Sequence, residues 1–302
     1  MDVSNQHRAE ILVEALPYIR KYNNKVLVIK YGGNAMINET LKQQVMEDVA
    51  LLHLIGVKVV LVHGGGPEIS DTLKRIGKEA KFVDGLRVTD RETVEVVQMV
   101  LAGKINKTLV KLLESKGGKA MGISGIDGHM IMAKVKDEKL GYVGEITSVN
   151  VQPILDLLEK DYIPVISTVG SDLEGNTYNI NADTAAAHIA GALRAERLIT
   201  MTDITGVMMD PHDPGSLIPC IDPADAQQLM EEGVISGGMI PKIECCIDAI
   251  SYGVRKVIIL DGRVPHAILM EVLTNEGAGT MVVKNKYCLL YTSDAADDLI
   301  GV

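Results

Sequence analysis

Short β-rich runs alternate with helix-spaced apolar segments along almost the whole chain. Residues 26–30 (VLVIK), 58–62 (KVVLV), 120–123, 163–167, 198–202 and 254–260 read as buried strands. Between them, 39–54, 67–76, 91–114, 151–159, 183–193 and 239–251 carry apolar positions at helical spacing. The stretch 91–114 is predicted as one long helix, with Val94, Val97, Leu101, Ile105, Leu109 and Leu112 on a single stripe. Strand–helix alternation of this kind predicts an α/β fold, with an open, mainly parallel, right-handed sheet sandwiched by helices. Residues 129–146 differ: two short alternating runs about 138–141 predict a hairpin flap inserted into that scaffold. Residues 280–284 read as the final strand.

Ahead of the first strand, 4–23 carries an apolar stripe of Ile11, Leu12, Ala15, Leu16 and Ile19, with Pro17 placed to kink it. A lone helix of this length is marginal in water unless its stripe is buried, against its own domain or against another copy. A glycine-and-charge turn near 193–196 begins a fresh strand–loop–helix series, so a boundary is expected there. Residues 288–298 (CLLYTSDAADD) switch to a composition unlike the rest. Back-translated from TGT-CTC-TTA-TAC-ACA-TCT onward, they resemble the transposon end used as an adapter in sequencing libraries. Residues 287–302 are therefore expected to be a non-native, adapter-derived tail; the alternative is an ordinary polar tail.

Composition narrows the field. The chain has 302 residues, 47% of them hydrophobic, which allows one large domain or two lobes around a sizeable core. Aromatics are 3% and Trp is absent, a mix that suits a buried parallel sheet better than a β-sandwich. A formal net charge of −10 argues against nucleic acid or an anionic membrane as partner. Cys220, Cys245, Cys246 and Cys288 form no CxxC pair and no zinc spacing, which reads as reduced thiols. The N-terminus has no apolar signal region and no run approaches membrane-spanning length, so a soluble, cytoplasmic protein is expected.

Five short segments carry candidate chemistry. Lys30–Tyr31–Gly32–Gly33 follows the first strand, where glycines let amide groups converge on an anion and Lys30 adds charge; alone, it is equally a strand-ending turn. His63–Gly64–Gly65–Gly66–Pro67 ends the next strand and opens a helix, whose N-terminus favours anions. Two such loops at the carboxyl ends of parallel strands would share one crevice. Neither is a Walker A loop, and GxGxxG is absent after the first strand, which leaves a nicotinamide-cofactor dehydrogenase a distant alternative. Arg87, within GLRVT, is a candidate carboxylate clamp or a solvated surface residue. In NINAD, Asn181 or Asp183 could cap the following helix, or Asn179 and Asp183 could face the crevice. Lys242, within GGMIPK, opens another helix, where a lysine is disfavoured unless an anion sits there.

In this order, KYGG, HGGGP, GLRVT, NINAD and GGMIPK resemble the amino acid kinase family over essentially all of residues 1–284, and GLRVT with YNINAD resembles its acetylglutamate kinase branch. The ordered set is specific even though no single member is. The resemblance implies an amino acid kinase fold of two lobes: an N-terminal kinked helix (1–24), an acetylglutamate-binding lobe (25–194) and an ATP-binding lobe (195–286). It implies a phosphotransferase that uses MgATP to phosphorylate the side-chain carboxylate of N-acetyl-L-glutamate, a step of arginine biosynthesis. On that resemblance Lys30 and Lys242 would flank the transferring phosphoryl group, with Asp183 holding both. Gly65 and Gly66 would donate from the acceptor side and Gly33 from the phosphate side, while Arg87 and Asn179 would grip the acceptor. Thr202, Asp203 and Gly206 would belong to the ATP site. Arginine-inhibited members carry a kinked N-terminal helix that joins dimers into a ring. This implies arginine as effector near Tyr18, Glu271 and Gly277, and a homo-oligomer, either a dimer or a hexamer built as a trimer of dimers.

The chemistry agrees with that inventory. A carboxylate nucleophile is already ionised at neutral pH and needs no general base. Phosphoryl transfer then depends on positioning and charge stabilisation, with Mg²⁺ held by ATP phosphates and water, so no protein metal ligands are expected. The rivals are a kinase for another acidic amino acid or acetylaminoadipate, and an arginine-sensing assembly without turnover. Retention of Lys30, Asp183 and Lys242 together speaks against the second.

Overall fold

The computed structural model describes residues 4–36, 38–210, 212–275 and 277–285; the expected adapter-derived tail, 287–302, lies outside them. In chain order the strands are β1 (Val26–Tyr31), β2 (Lys58–His63), β3 (Phe82–Val83), β4 (Leu86–Arg87), β5 (Ala120–Ser124), β6 (Ile131–Val135), β7 (Gly144–Val149), β8 (Ile163–Ser167), β9 (Val169–Ser171), β10 (Thr177–Asn179), β11 (Arg197–Thr202), β12 (Cys220–Ile221), β13 (Lys256–Asp261) and β14 (Gly279–Val283). The α-helices are α1 (Asn5–Glu14), α2 (Leu16–Tyr22), α3 (Glu39–Leu54), α4 (Gly66–Arg75), α5 (Arg91–Gln98), α6 (Asn106–Ser115), α7 (Gln152–Glu159), α8 (Ala182–Ala192), α9 (Pro223–Glu231), α10 (Ile240–Ser251) and α11 (Ala267–Leu273).

Eight strands form one sheet in the order β12-β14-β13-β11-β1-β2-β8-β5, parallel except that β13 and β14 pair antiparallel. Alternation along each strand sends successive side chains to opposite faces. Leu27 and Ile29 of β1 enter one core with α3, α6 and α11, while Val28 enters the other with α8 and α10. Helices thus cover both faces, as strand–helix alternation predicts. The flap is also present: β6 and β7 pair antiparallel and join β9 and β10 in a separate four-stranded sheet. The expected boundary at 194/195 falls between α8 and β11, and the sheet runs across it through the β1–β11 pairing.

Two local departures matter. The predicted single helix at 91–114 is interrupted by a π-helical segment, Met99–Ile105, between α5 and α6. The wider turn keeps Leu101, Ile105 and Leu109 inward and buries Leu113 where an unbroken α-helix was expected to place Leu112. The break between α1 and α2 lies at Ala15, with Pro17 in the first turn of α2, where its missing N–H costs nothing. Helix α1 buries none of its residues, and Leu12 is 72% exposed. Among the described residues no helix is long and apolar enough to cross a membrane.

Candidate active site

Lys30 lies near the carboxyl end of β1, on the same face as Val28, so it points toward α8. Asp183 stands in the first turn of α8. Asn181 caps that helix, its Oδ1 accepting from the N–H groups of Asp183 and Thr184 at 2.9 and 3.0 Å. With the cap supplied by Asn181, the Asp183 carboxylate is free to pair with Lys30 Nζ at 2.8 Å. Burial would raise the pKa of Asp183, but the charges of Lys30 and Lys242 and the Lys30 hydrogen bond outweigh it and hold the group below its ordinary value. Lys242, in the first turn of α10, lines a small cleft with Asp183, Thr202 and Cys245. The three charged residues expected to act together are therefore brought together from β1, α8 and α10.

The two glycine loops meet beside this cluster. Gly32 and Gly33 from one, and Gly64, Gly65 and Gly66 from the other, line a cavity of about 230 Å³ with Lys30, Arg87, Asn179 and Thr168. The approach is close at Gly65, where a Cβ would displace the ends of the Leu101 and Ile105 side chains in the π-helical segment. The amide groups of Gly65 and Gly66 donate to no acceptor among the described residues. They sit at the start of α4, where free N–H groups and the helix dipole favour an anion.

Arg87 closes the far wall. Its Nη2 donates to the Gly66 carbonyl and to Ser70 Oγ, both at 2.9 Å, and its guanidinium lies 4.7 Å from the centre of the Phe82 ring. Nη1 is buried and has no partner among the described residues, and no carboxylate pairs with the group. Burial lowers the pKa of Arg87, the signature of a charge held without compensation. Asn179 donates from Nδ2 to Thr89 Oγ1 at 3.2 Å and joins the same wall.

A second cavity of about 420 Å³ lies past the carboxyl end of β11, lined by Asp203, Gly206, Val207, Ser236, Met239 and Arg263 among others. Asp203 and Gly206 thus lie together, whereas Thr202 lines the small cleft with Asp183 and Lys242 and not this cavity. Arg263 was not anticipated from sequence. It is fixed by Asp261 through Nε and Nη2 at 2.8 and 2.7 Å, and the short DGR segment at a strand end was the available signal.

The three residues expected to form an effector site are near one another but differ in exposure. The Tyr18 hydroxyl donates to Asn275 Oδ1 and lines a groove of about 560 Å³ between α1, α2 and α11. Glu271 faces inward, with Oε1 on Arg197 Nη1 at 2.7 Å and Oε2 accepting from the Ala278 N–H at 3.0 Å. Gly277 has φ +64°, and a Cβ there would lie 3.2 Å from Glu271 Oε2. Among the described residues, Cys220, Cys245 and Cys246 form no disulfide.

Residues 25–261 match the Amino acid kinase family. The chain is 53% identical over 283 residues to the acetylglutamate kinase of Clostridium beijerinckii, covering 93% of this chain and 99% of that protein. To the acetylglutamate kinase of Brachyspira hyodysenteriae it is 54% identical over 286 residues, covering 94% and 99%. Among solved structures, N-acetylglutamate synthase from Neisseria gonorrhoeae, complexed with coenzyme A and N-acetyl-glutamate, superposes with a TM-score of 0.80 at 25% identity. That superposition covers 92% of this chain and 63% of the synthase.

Proposed function

The chain belongs to the amino acid kinase family and is a kinase, and from that premise we propose that its acceptor is N-acetyl-L-glutamate and its donor ATP. One observation carries the choice of acceptor: the buried Arg87 guanidinium, unpaired at Nη1, in a small cavity that also holds free glycine amides and Lys30. A planar fork of this kind binds a carboxylate with two parallel hydrogen bonds. Asn179 on the same wall would read the amide end.

The nucleotide would lie over the second cavity, where Asp203, Gly206 and Arg263 surround a space of the size a nucleotide base and sugar need. Its terminal phosphate would then reach the Lys242–Asp183–Lys30 cluster. The acceptor's side-chain carboxylate attacks the γ-phosphorus, a new O–P bond forms as the bond to the β-phosphate oxygen breaks, and ADP leaves. No proton moves. Lys30 and Lys242 neutralise charge as it spreads over the equatorial oxygens, and the Gly65 and Gly66 amides hold the attacking oxygen in line. Mg²⁺, bound through the nucleotide's phosphates and water, would neutralise part of the phosphate charge. Residues 25–194 and 195–286 are then the acceptor and nucleotide halves of one sheet, in a cytoplasmic enzyme of arginine biosynthesis.

Trapping the acyl phosphate with hydroxylamine tests this, with acetylglutamate, glutamate, aspartate and acetylaminoadipate side by side. Acetylglutamate is expected to give by far the highest kcat/KM. A preference for acetylaminoadipate would reassign the acceptor, and absence of any trapped product would remove the reading. The exposed stripe of α1 and the groove it shares with α11 support a finer reading: assembly of dimers into a hexamer through this helix, with arginine as inhibitor near Tyr18, Gly277 and Glu271. Deleting residues 1–22 is expected to leave an active dimer indifferent to arginine; a truncated enzyme still inhibited by arginine would place the effector site elsewhere.

A further inference from the structure

His63 ends β2 and is fully buried, yet its ring is hydrogen-bonded on both nitrogens. Nδ1 lies 3.0 Å from the Gly64 carbonyl and Nε2 lies 3.2 Å from Asn106 Nδ2. Asn106 is the first residue of α6, directly after the π-helical segment, and is itself 1% exposed. Its amide orientation is fixed from outside the pair. Nδ2 faces the carbonyls of Val165 and Ile123 at 2.8 and 3.3 Å, and Oδ1 accepts from Lys107 Nζ at 3.1 Å. The two carbonyls can take both N–H groups of the amide, but a proton on Nε2 would face an NH₂ that cannot accept it. Nε2 is therefore the bare nitrogen, and the single ring proton sits on Nδ1, pointing at Gly64. Burial, with Lys107 nearby, pushes His63 down to about 4, so the ring stays neutral at physiological pH.

The consequence falls on the next amide. The Gly64 carbonyl and the Gly65 N–H belong to one trans peptide unit and point in opposite directions. Gly64's own N–H is tied to the Tyr31 carbonyl at 3.1 Å, so the loop is held from both sides. With the carbonyl drawn inward to the imidazole, the Gly65 N–H is turned outward, to the cavity side. We propose that His63 and Asn106 are positioning residues that fix the Gly64–Gly65 peptide plane and thereby aim the Gly65 amide at the acceptor. The inference rests on the reading of that loop as the acceptor's donor. It also assigns work to the π-helical segment, which delivers Asn106 to the strand ends and packs Leu101 and Ile105 against Gly65.

Two measurements test it. The first compares His63→Leu, which removes the donor, with His63→Asn, whose amide places an N–H close to where Nδ1 stands. His63→Leu is expected to lower kcat/KM for acetylglutamate by about 100-fold, the scale of a misplaced reacting group, with KM for ATP unchanged. His63→Asn should recover most of that loss. Equal effects on both substrates, or no recovery in His63→Asn, would overturn the proposal. A wild-type enzyme inactive on acetylglutamate would instead overturn the assignment of the acceptor. The second measurement needs no variant to fold. In wild-type protein labelled with ¹⁵N-histidine, one buried ring should show a protonated Nδ1 and a bare Nε2, with unchanged shifts from about pH 6 to 8, where an ordinary histidine titrates. A proton on Nε2 of His63 would leave no donor facing Gly64, and the proposal would fail whatever the kinetics.

Discussion

Arg87 and Arg197 are buried to the same degree, 7% and 6% exposed, and each lies over an aromatic ring, Phe82 at 4.7 Å and Tyr22 at 4.9 Å. They differ in what answers the charge. Arg197 has the carboxylate of Glu271 at 2.7 Å and the Glu271 carbonyl at 3.2 Å, all within the fold. Arg87 has two neutral oxygens on one nitrogen and, among the described residues, nothing on another. A buried cation without an anion costs several kcal/mol, so a fold keeps one only where something else supplies the anion. Burial therefore does not separate structural from functional charges; the presence of an internal partner does. Lys30 and Asp183 stand between the two cases, being paired with each other yet bordering a cleft that holds the further cation Lys242.

The largest expected effect breaks the satisfied pair. Glu271→Ala strands Arg197 beneath Tyr22 and should cost about 3–5 kcal/mol, read as a fall of roughly 10 °C in Tm. A variant as stable as wild type would mean that Arg197 finds water or another acceptor, and the contrast with Arg87 would collapse. Next comes Arg87→Met, which keeps the stem on Phe82 and removes the fork. Acetylglutamate kcat/KM should fall by about 100-fold, on the order of 2.7 kcal/mol, while Tm holds or rises because an uncompensated charge is gone. Loss of stability comparable to that of Glu271→Ala would make Arg87 structural. The smallest expected effect is none at all: kcat between about pH 5.5 and 8 should be flat, because the acceptor is already ionised. Asp183, with its folded pKa lowered, contributes stability that is present above its unfolded pKa and lost only as pH falls through the folded value, below the window. A bell-shaped profile inside it would reveal a titrating group that these contacts do not contain.

Much of this was legible in the linear chain. The six predicted core strands appear within a residue or two, because short apolar runs between helix-spaced segments leave little choice. Lys30, Asp183, Arg87 and the glycine loops were visible because strand ends and helix starts mark where a parallel sheet opens its crevice. What escaped depends on partners far apart in sequence. Glu271 lies 74 positions from Arg197, and Asn106 lies 43 from His63, and neither partner can be chosen from spacing. The π-helical turn escaped for a different reason. Its apolar spacing of four, Leu101–Ile105–Leu109, fits an ordinary helix equally well, and only packing against Gly65 distinguishes them.

The strand order also bears on how the chain is made. Strand β1 is central, with β2 on one side and β11 on the other, and Lys30 sits opposite Thr200, 170 positions later. A ribosome adding about 5–20 residues per second delivers β1, β2, β5 and β8 roughly 2–7 seconds before β11 is complete. During that interval the first four strands can assemble as a half-sheet whose β1 edge, VLVIKY, is apolar and unpaired. The nascent chain thus passes through its greatest exposure to mispairing at the strand that later carries Lys30, and slowed translation between 170 and 196 should raise aggregation more than the same pause after residue 202.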